Sequence, residues 1–365
     1  MYWLSNSNLF HISSDPEIKP ISPFIVKPGI TPPMLPPGFE IKTLQINHYE
    51  EIFKLINNSY TEDEDSSTRI TFSREYILSY LKTVPPNFSI GLALNGKLVG
   101  LITATICDLI IYQKKIKVPS IAFFCLQSKI RGAGLGLFLI EEMKIRLAKI
   151  NMNYAIFSSN IHKDSSFLEV EEFSIPINHS KLLDVGFIDE IPCTCPKREF
   201  QIQVLCLSNQ FHLLKEEDIP ALVPKLNKSL ESYTIKTFFT DATAKHSLIP
   251  KKNVVYSFVK KNKTGVITDF LSLNKTYLYH RDLDQVISVG NLTYYFHETL
   301  DLTTLISIII EKLPSYDIDQ LTFRNTAESS AINLMKFQTK NKYSHYLCNV
   351  SIKHVEPEKT CFHLY

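Results

Sequence analysis

Six consecutive residues in the first half of the chain have the composition of a phosphate-binding turn. They are Arg131, Gly132, Ala133, Gly134, Leu135 and Gly136, in a chain of 365 residues that has only 11 glycines. Glycine is costly in ordered structure unless the main chain needs positive φ or a close approach to a ligand. A strand, this turn and a following helix would present several N–H groups at a helix start, where they bind phosphate. Arg131 would add a charged donor.

The same turn can also be a tight strand-to-helix connection without a ligand, and the residues alone leave both interpretations open. No Lys-Ser or Lys-Thr pair follows the glycines, so this is not a Walker sequence, and the spacing is not that of the dinucleotide fingerprint. The turn resembles the pyrophosphate-binding turn of the GNAT acetyltransferases, which hold coenzyme A in this way. The hairpin and strand that precede the turn fit this resemblance.

The segments around the turn predict a mixed α/β fold. Apolar spacing predicts amphipathic helices over residues 45–58 and 73–82, the second with Ser73 as its N-cap. Asn95-Gly96 lies between two apolar runs and predicts a hairpin, because both residues tolerate positive φ. A strand over residues 118–126 leads into the glycine turn, and a helix and a strand follow it.

The second half of the chain repeats this order loosely. It has predicted helices at 216–230 and 303–313, and predicted strands at 254–259, 264–273 and 292–296, near Leu321, and at 346–352. Two similar halves joined near residue 205 are therefore expected rather than two unrelated domains.

Composition excludes several classes of function. A net charge of only +2 argues against a dedicated nucleic-acid binder. Of the seven cysteines only Cys193 and Cys195 are close, and their spacing does not fit a zinc site, so no metal is expected. No uncharged stretch reaches the length of about 18 residues that a membrane span needs, and the N-terminus lacks a signal-peptide pattern. We expect a soluble, cytoplasmic protein.

Further segments along the chain sharpen the resemblance to one family. Residues 122–126, Ala-Phe-Phe-Cys-Leu, followed by Arg131, are similar to the NFLCV and RSKR segments of the protein N-myristoyltransferases. The acidic stretch 58–65 is similar to that family's NxxYxEDxD loop. Four further segments resemble parts of the same family: Tyr2-Trp3, Phe72 and its neighbours, residues 268–272 (Thr-Asp-Phe-Leu-Ser) and the closing run 358–365.

The resemblance implies a monomer of two fused GNAT-like halves, with pseudo-twofold symmetry. Residues 1–205 would bind acyl-CoA, and residues 206–365 would bind the peptide and supply the C-terminal carboxylate. The implied reaction transfers myristate from myristoyl-CoA, a co-substrate, to the N-terminal glycine amine of proteins. No permanently bound cofactor, no nucleic acid and no stable membrane insertion are expected.

The resemblance also assigns roles to individual residues. The amides of Phe123 and Phe124 would form the oxyanion hole, and the carboxylate of Tyr365 would accept the amine proton. Coenzyme A would be held by Tyr2, Trp3, Phe124, Cys125, Leu126, Arg131, Gly132, Ala133, Gly134, Leu135 and Gly136. The peptide would contact Tyr60, Glu62, Asp63, Asp65 and Phe72.

The chain departs from the family pattern at a few positions. Ser174 stands where the family commonly has histidine, Ala133 and Gly134 replace basic residues of the turn, and a glycine-aspartate-glycine loop near the C-terminus is missing. Two alternatives follow: a GNAT-type acyltransferase acting on other amines, and a non-catalytic acyl-CoA or peptide-binding homologue.

Overall fold

A computed structural model describes residues 10–13, 18–20, 35–60, 67–160, 162–189, 204–332, 334 and 336–364. Six residues with expected roles lie outside these ranges: Tyr2, Trp3, Glu62, Asp63, Asp65 and Tyr365. The described chain forms two compact units. Unit 1 takes its described residues from Met1–Glu169, Tyr343–Glu356 and His363–Tyr365, and unit 2 takes its own from Val170–Lys342 and Pro357–Phe362. The domain boundary expected near residue 205 stays a prediction.

Unit 1 is built on a mixed sheet with helices packed against it. Its strands are β1 (Phe10–Ile12), β2 (Lys19–Pro20), β3 (Phe39–Thr43), β4 (Thr68–Thr71), β5 (Ser89–Leu94), β6 (Lys97–Ile111), β7 (Lys114–Leu126), β8 (Ala155–Ser159) and β17 (Val350–Ile352). Its helices are α1 (Tyr49–Ser59), α2 (Arg74–Leu81) and α3 (Gly136–Ala148). Strands β3, β5, β6 and β7 are antiparallel neighbours, β8 runs parallel to β7, and β1 and β2 flank β17 in a small separate sheet.

Local sequence explains where these elements begin and turn. Asn95 and Gly96 have φ of 48° and 82°, which gives the tight hairpin between β5 and β6 that their types predict. The Ser73 hydroxyl accepts a hydrogen bond from the Tyr76 amide at 2.9 Å and caps α2, as expected. The apolar face of α3, with Leu139, Ile140, Met143 and Leu147, is buried in the core of this unit.

Unit 2 has the same kind of architecture. Its strands are β9 (Leu168–Pro176), β10 (Phe211–Leu213), β11 (Ile235–Thr237), β12 (Val255–Lys261), β13 (Ile267–His280), β14 (Gln285–His297), β15 (Gln320–Arg324) and β18 (Thr360–Cys361). Its helices are α4 (His179–Asp184), α5 (Ile219–Ser229), α6 (Asp241–Leu248) and α7 (Leu302–Lys312). Strands β10, β12, β13 and β14 are antiparallel neighbours, β15 runs parallel to β14, and α7 packs into an apolar core cluster of this unit.

The two units repeat one order of elements, which bears out the mixed α/β fold and the loose repeat expected from sequence. In unit 1 the order is β3, α1, β4, α2, β5, β6, β7, α3, β8, and in unit 2 it is β10, α5, β11, α6, β12, β13, β14, α7, β15. The strand that follows each of these two series in the sequence pairs with a strand of the other unit. β9 pairs antiparallel with β15 in unit 2, whereas residues 344–348 of β16 (Phe337–Cys348) pair antiparallel with β8 in unit 1. A strand is expected from the sequence at 346–352, which overlaps β16 and β17, whereas neither β9 nor this exchange is expected.

A buried carboxylate closes the connection between β14 and α7. The Asp269 side chain is fully buried, and it accepts hydrogen bonds from the amides of Glu298, Thr299 and Leu300 at 3.1–3.3 Å and from the Thr299 hydroxyl at 2.5 Å. Burial alone would raise the pKa of Asp269, but these hydrogen bonds and the nearby Lys260 ammonium lower it. Asp269 therefore fixes the start of this connection as an internal anion.

We predict that Asp269→Asn lowers the free energy of unfolding by about 3 kcal/mol at pH 7. The substitution removes the negative charge that the surrounding amide donors bind. The folded pKa lies below the unfolded value of about 3.9, so the contribution is present above about pH 4 and is lost as pH falls through the folded pKa. Urea unfolding at pH 7 and pH 3 measures this. The difference in free energy of unfolding between Asp269→Asn and wild type should be smaller at pH 3 than at pH 7. The exposed control Asp282→Asn should have the same free energy of unfolding as wild type at both pH values.

Candidate functional site

The end of β7 carries a bulge at Phe123 and Phe124. Leu101 pairs with Cys125 and Thr103 with Ala122, so two residues of β7 face the single residue Ile102 of β6. Phe123 has a φ of 48° and is buried. A left-handed backbone is unusual for a bulky aromatic residue and persists only where the surroundings hold it. At a bulge, main-chain groups leave the regular hydrogen-bond ladder of the sheet and are available to bind another group.

Aromatic rings hold Phe123 in this conformation. Its ring centroid lies 4.8 Å from that of Tyr80, 5.2 Å from Phe72 and 5.3 Å from Tyr60, all edge to face. Phe72 is itself fixed, because the Asn57 side chain accepts from its amide at 2.8 Å and donates to its carbonyl at 3.1 Å. Tyr60 and Phe72, the expected peptide contacts, therefore adjoin the bulge; their contact with a peptide stays a prediction.

Two hydroxyl groups hold the main chain just before the bulge. The Thr103 hydroxyl donates to the Ala122 carbonyl at 2.8 Å, and the Tyr80 and Thr103 hydroxyl oxygens are 2.7 Å apart. Both side chains are buried. The same tyrosine thus supports the Phe123 ring with its own ring and the preceding peptide group through Thr103.

The glycine turn follows β7 directly and leads into α3. Gly132 and Gly134 have φ of 81° and 74°, as expected for a turn that needs glycine. Among the described residues, the amides of Gly132, Ala133, Gly134 and Leu135 have no hydrogen-bond acceptor. Residues 131–134 are exposed, and a methyl group built on Gly136 would lie 3.0 Å from the Phe124 ring. The turn and the bulge are therefore neighbours.

Arg131 is engaged with the main chain. Its Nε donates to the Leu126 carbonyl at 3.0 Å and its Nη2 to the Ser59 carbonyl at 2.5 Å. The guanidinium thus ties the end of α1 to the end of β7. Its expected contact with coenzyme A stays a prediction, and the open donors of the turn are main-chain amides.

The corresponding connection of unit 2 differs in this respect. There the amides of Glu298, Thr299 and Leu300 are taken by the Asp269 carboxylate. Open amides at a strand-to-helix turn are the feature that binds phosphate. Of these two connections, only the one in unit 1 offers them.

Two titratable groups beside the bulge, the Cys125 thiol and the Tyr60 phenol, have raised pKa values. Burial raises the pKa of the Cys125 thiol to about 12, although Arg131 opposes the shift. Burial also raises the pKa of the Tyr60 phenol to about 12. Cys125 is thus a poor nucleophile despite its position beside Phe124, since the reactive form is the thiolate.

Some expected features lie elsewhere. Ser174 is part of β9 in unit 2, where it pairs with Thr322. The described residues contain no group of three or more His, Cys, Asp or Glu side chains able to hold a metal. None of the helices in the described part of the chain is both long and apolar enough to cross a bilayer.

Tyr80 and Thr103 are not among the site residues expected from the sequence. The available signal is that Thr103 and Thr105 interrupt the apolar run of β6, because a hydroxyl in a buried strand requires a partner. Asp269 gives the same signal within the apolar start of β13.

Comparisons with known proteins identify the family of this chain. Residues 26–167 match the family model of the N-terminal domain of myristoyl-CoA:protein N-myristoyltransferase, and residues 195–361 match that of its C-terminal domain. A protein of Acanthamoeba polyphaga mimivirus named "Putative glycylpeptide N-tetradecanoyltransferase" is 40% identical over 354 residues, which cover 96% of each chain.

Solved structures resemble the fold. The crystal structure of Saccharomyces cerevisiae N-myristoyltransferase with bound myristoyl-CoA has a TM-score of 0.81 at 20% identity, covering 97% of this chain and 93% of the yeast chain. A GCN5-related N-acetyltransferase from Kribbella flavida has a TM-score of 0.50 at 8% identity, covering 85% and 70%. These likenesses confirm the expected fold of two GNAT-like halves. With both domain models matched and a relative at 40% identity along the chain, this protein is an acyltransferase that belongs to the myristoyl-CoA:protein N-myristoyltransferase family.

Proposed function

We propose that this chain transfers myristate from myristoyl-CoA to the N-terminal glycine amine of proteins by direct attack of the amine on the thioester. The observation that carries the proposal is the left-handed bulge at Phe123, beside a glycine turn with open amides. The yeast relative has myristoyl-CoA bound, which supports the same ligand here. The turn would hold the coenzyme A phosphates, and the bulge would receive the thioester carbonyl.

The reaction needs donors for a developing oxyanion. Attack of the amine turns the thioester carbonyl into an oxyanion, and a preorganised main-chain amide stabilises such a charge by about 3 kcal/mol. Phe123 and Phe124 lie at the bulge, without partners in the β6–β7 register. We assign their amides to the oxyanion hole.

The amine must also lose a proton. An α-amine has a pKa near 8 and a solvated C-terminal carboxylate one near 3.5, so a solvated carboxylate would be a poor base. Burial raises a carboxylate pKa and narrows this gap. We assign the base to the carboxylate of Tyr365, which lies outside the described residues. Leu364 beside it is buried, with 6% of its surface exposed.

Direct transfer is preferred to an acyl-enzyme. A Cys125 intermediate would need a thiolate, and burial keeps this thiol neutral. Two other functions remain as outcomes of the test below: transfer of short acyl groups to other amines, and binding of acyl-CoA without turnover.

The proposal predicts that myristoyl-CoA, and not acetyl-CoA, modifies a Gly-Asn-Ala-Ala-type peptide at its glycine amine. Mass spectrometry of the peptide after incubation with the protein measures the transfer. A peptide with its amine already acetylated is the control and should gain no mass. Acetyl transfer alone would support the GNAT-type alternative, and acyl-CoA binding without any product would support the non-catalytic one.

The same assay tests the base. One glycine appended after Tyr365 moves the carboxylate away from the site and should lower the rate about 100-fold or more, the scale of general base catalysis. Binding of myristoyl-CoA should be unchanged. A full rate in the extended chain would contradict the assignment of Tyr365.

We predict that Gly134→Val weakens myristoyl-CoA binding about tenfold. The position has a φ of 74° and open space around it, so the side chain strains the turn and misaligns the amides without a clash. Titration calorimetry measures the affinity. Gly265→Val is a matched control, since Gly265 has a φ of 82° and open space but lies at the β12–β13 hairpin. Equal affinities in both variants would assign the glycine turn a structural role only.

We predict that Cys125→Ala keeps the transfer rate within about threefold of the wild type, because a neutral buried thiol takes no part in the chemistry. Incubation with myristoyl-CoA without peptide, followed by intact-protein mass spectrometry, provides the second readout. No acyl-protein should be seen. A myristoylated wild type together with an inactive variant would replace direct transfer by a two-step mechanism.

A further inference from the structure

A buried side chain holds the carbonyl of the peptide group between Ala122 and Phe123. Its carbonyl accepts the hydrogen bond of the Thr103 hydroxyl at 2.8 Å. In a trans peptide the carbonyl and the N–H point in opposite directions. The Phe123 amide, one of the two donors assigned above, therefore points away from Thr103. Whatever orients the carbonyl of this rigid plane orients the amide as well.

The hydrogen bonds run in one direction. A threonine hydroxyl has a single proton, and Thr103 gives it to the Ala122 carbonyl, which can only accept. The Tyr80 hydroxyl, 2.7 Å from the Thr103 oxygen, is then the donor in that pair. These hydrogen bonds form a chain that begins at the Tyr80 hydroxyl and continues through the Thr103 hydroxyl to the Ala122 carbonyl. The peptide group then connects this carbonyl to the Phe123 N–H. Hydrogen bonds in such a chain polarise one another, which strengthens the last donor.

Both supporting groups are shielded from water. Thr103 has no exposed surface and Tyr80 is 1% exposed, so the chain keeps its geometry without competition from solvent. The Tyr80 ring also packs edge to face on Phe123, with centroids 4.8 Å apart. The same residue thus acts on the left-handed φ of Phe123 and on the peptide plane before it.

We propose that Tyr80 and Thr103 are positioning residues of the oxyanion hole, which orient and polarise the Ala122–Phe123 peptide group. This inference rests on the proposed function. Neither side chain needs to touch the substrate, because the effect passes through the peptide. It adds two side chains to a site whose donors belong to the main chain.

The test compares Thr103→Val, which replaces the hydroxyl by a methyl group of similar size, with Thr103→Ser, which keeps the hydroxyl. We expect Thr103→Val to lower kcat about tenfold, a fraction of the 100-fold to 1000-fold loss found when one oxyanion donor is deleted. The KM for myristoyl-CoA should stay within about twofold, and Thr103→Ser should restore kcat to within about threefold, because the donor is retained. Tyr80→Phe should fall between wild type and Thr103→Val.

A matched control removes another buried hydroxyl pair. The Ser257 hydroxyl donates to that of Ser272 at 2.8 Å, and both side chains are fully buried in unit 2. Ser257→Ala should lower the melting temperature about as much as Thr103→Val, with kcat unchanged. An unchanged kcat in Thr103→Val, an equal loss in Ser257→Ala, or a change in KM alone would each overturn the positioning role.

A spectroscopic readout separates this inference from the proposed function. Infrared spectra of bound myristoyl-CoA carrying ¹³C at the thioester carbonyl report the strength of hydrogen bonds to that oxygen without turnover. The band should move to lower wavenumber on binding to wild type and Thr103→Ser, and should return toward the free value in Thr103→Val. A wild type that shifts the band but transfers nothing would refute the proposed function alone. An identical band in Thr103→Val and wild type would refute the positioning role alone.

Discussion

The left-handed conformation of Phe123 is the constraint on which the candidate site depends. Such a backbone costs on the order of 1–3 kcal/mol and would relax into a regular strand if its surroundings allowed it. The rings of Tyr60, Phe72 and Tyr80 prevent that relaxation, since they enclose the Phe123 side chain. Elements far apart in sequence, α1, β4 and α2, thus meet at one residue of β7 and determine where its amide points.

The two halves of the chain show how one order of elements acquires different tasks. In unit 1 the connection after β7 has exposed glycines and open amides, so an external anion can bind. In unit 2 the corresponding amides bind Asp269, an anion within the fold. An internal carboxylate satisfies the same donors without a ligand, so this half keeps its shape when nothing is bound. Asp269, an acidic residue in the buried first half of β13, accounts for that difference.

Sequence patterns predicted the local elements of the site well. Asn95-Gly96 marked the β5–β6 hairpin and Ser73 the start of α2, because both depend on neighbours in the chain. The exchange of β9 and β16 could not be predicted, because hydrophobic period and β-propensity do not identify the partner of a strand. The bulge at Phe123 was equally hidden, because phenylalanine has no preference for positive φ and only the surrounding rings impose it.

A site made of main-chain donors places unusual demands on the side chains around it. Replacing basic residues of the turn by Ala133 and Gly134 removes charge but no amide, so the donors that we propose for phosphate binding are kept. The same holds at the bulge, where Phe123 and Phe124 contribute N–H groups that any residue except proline would carry. The side chains must instead fix the conformation of the main chain. Glycines allow the positive φ values of the turn, aromatic rings hold Phe123, and a hydroxyl holds the peptide group before it. Substitutions that look severe at the donors can then be harmless, while the loss of one buried hydroxyl at Thr103 reaches the reacting atom through a rigid peptide plane.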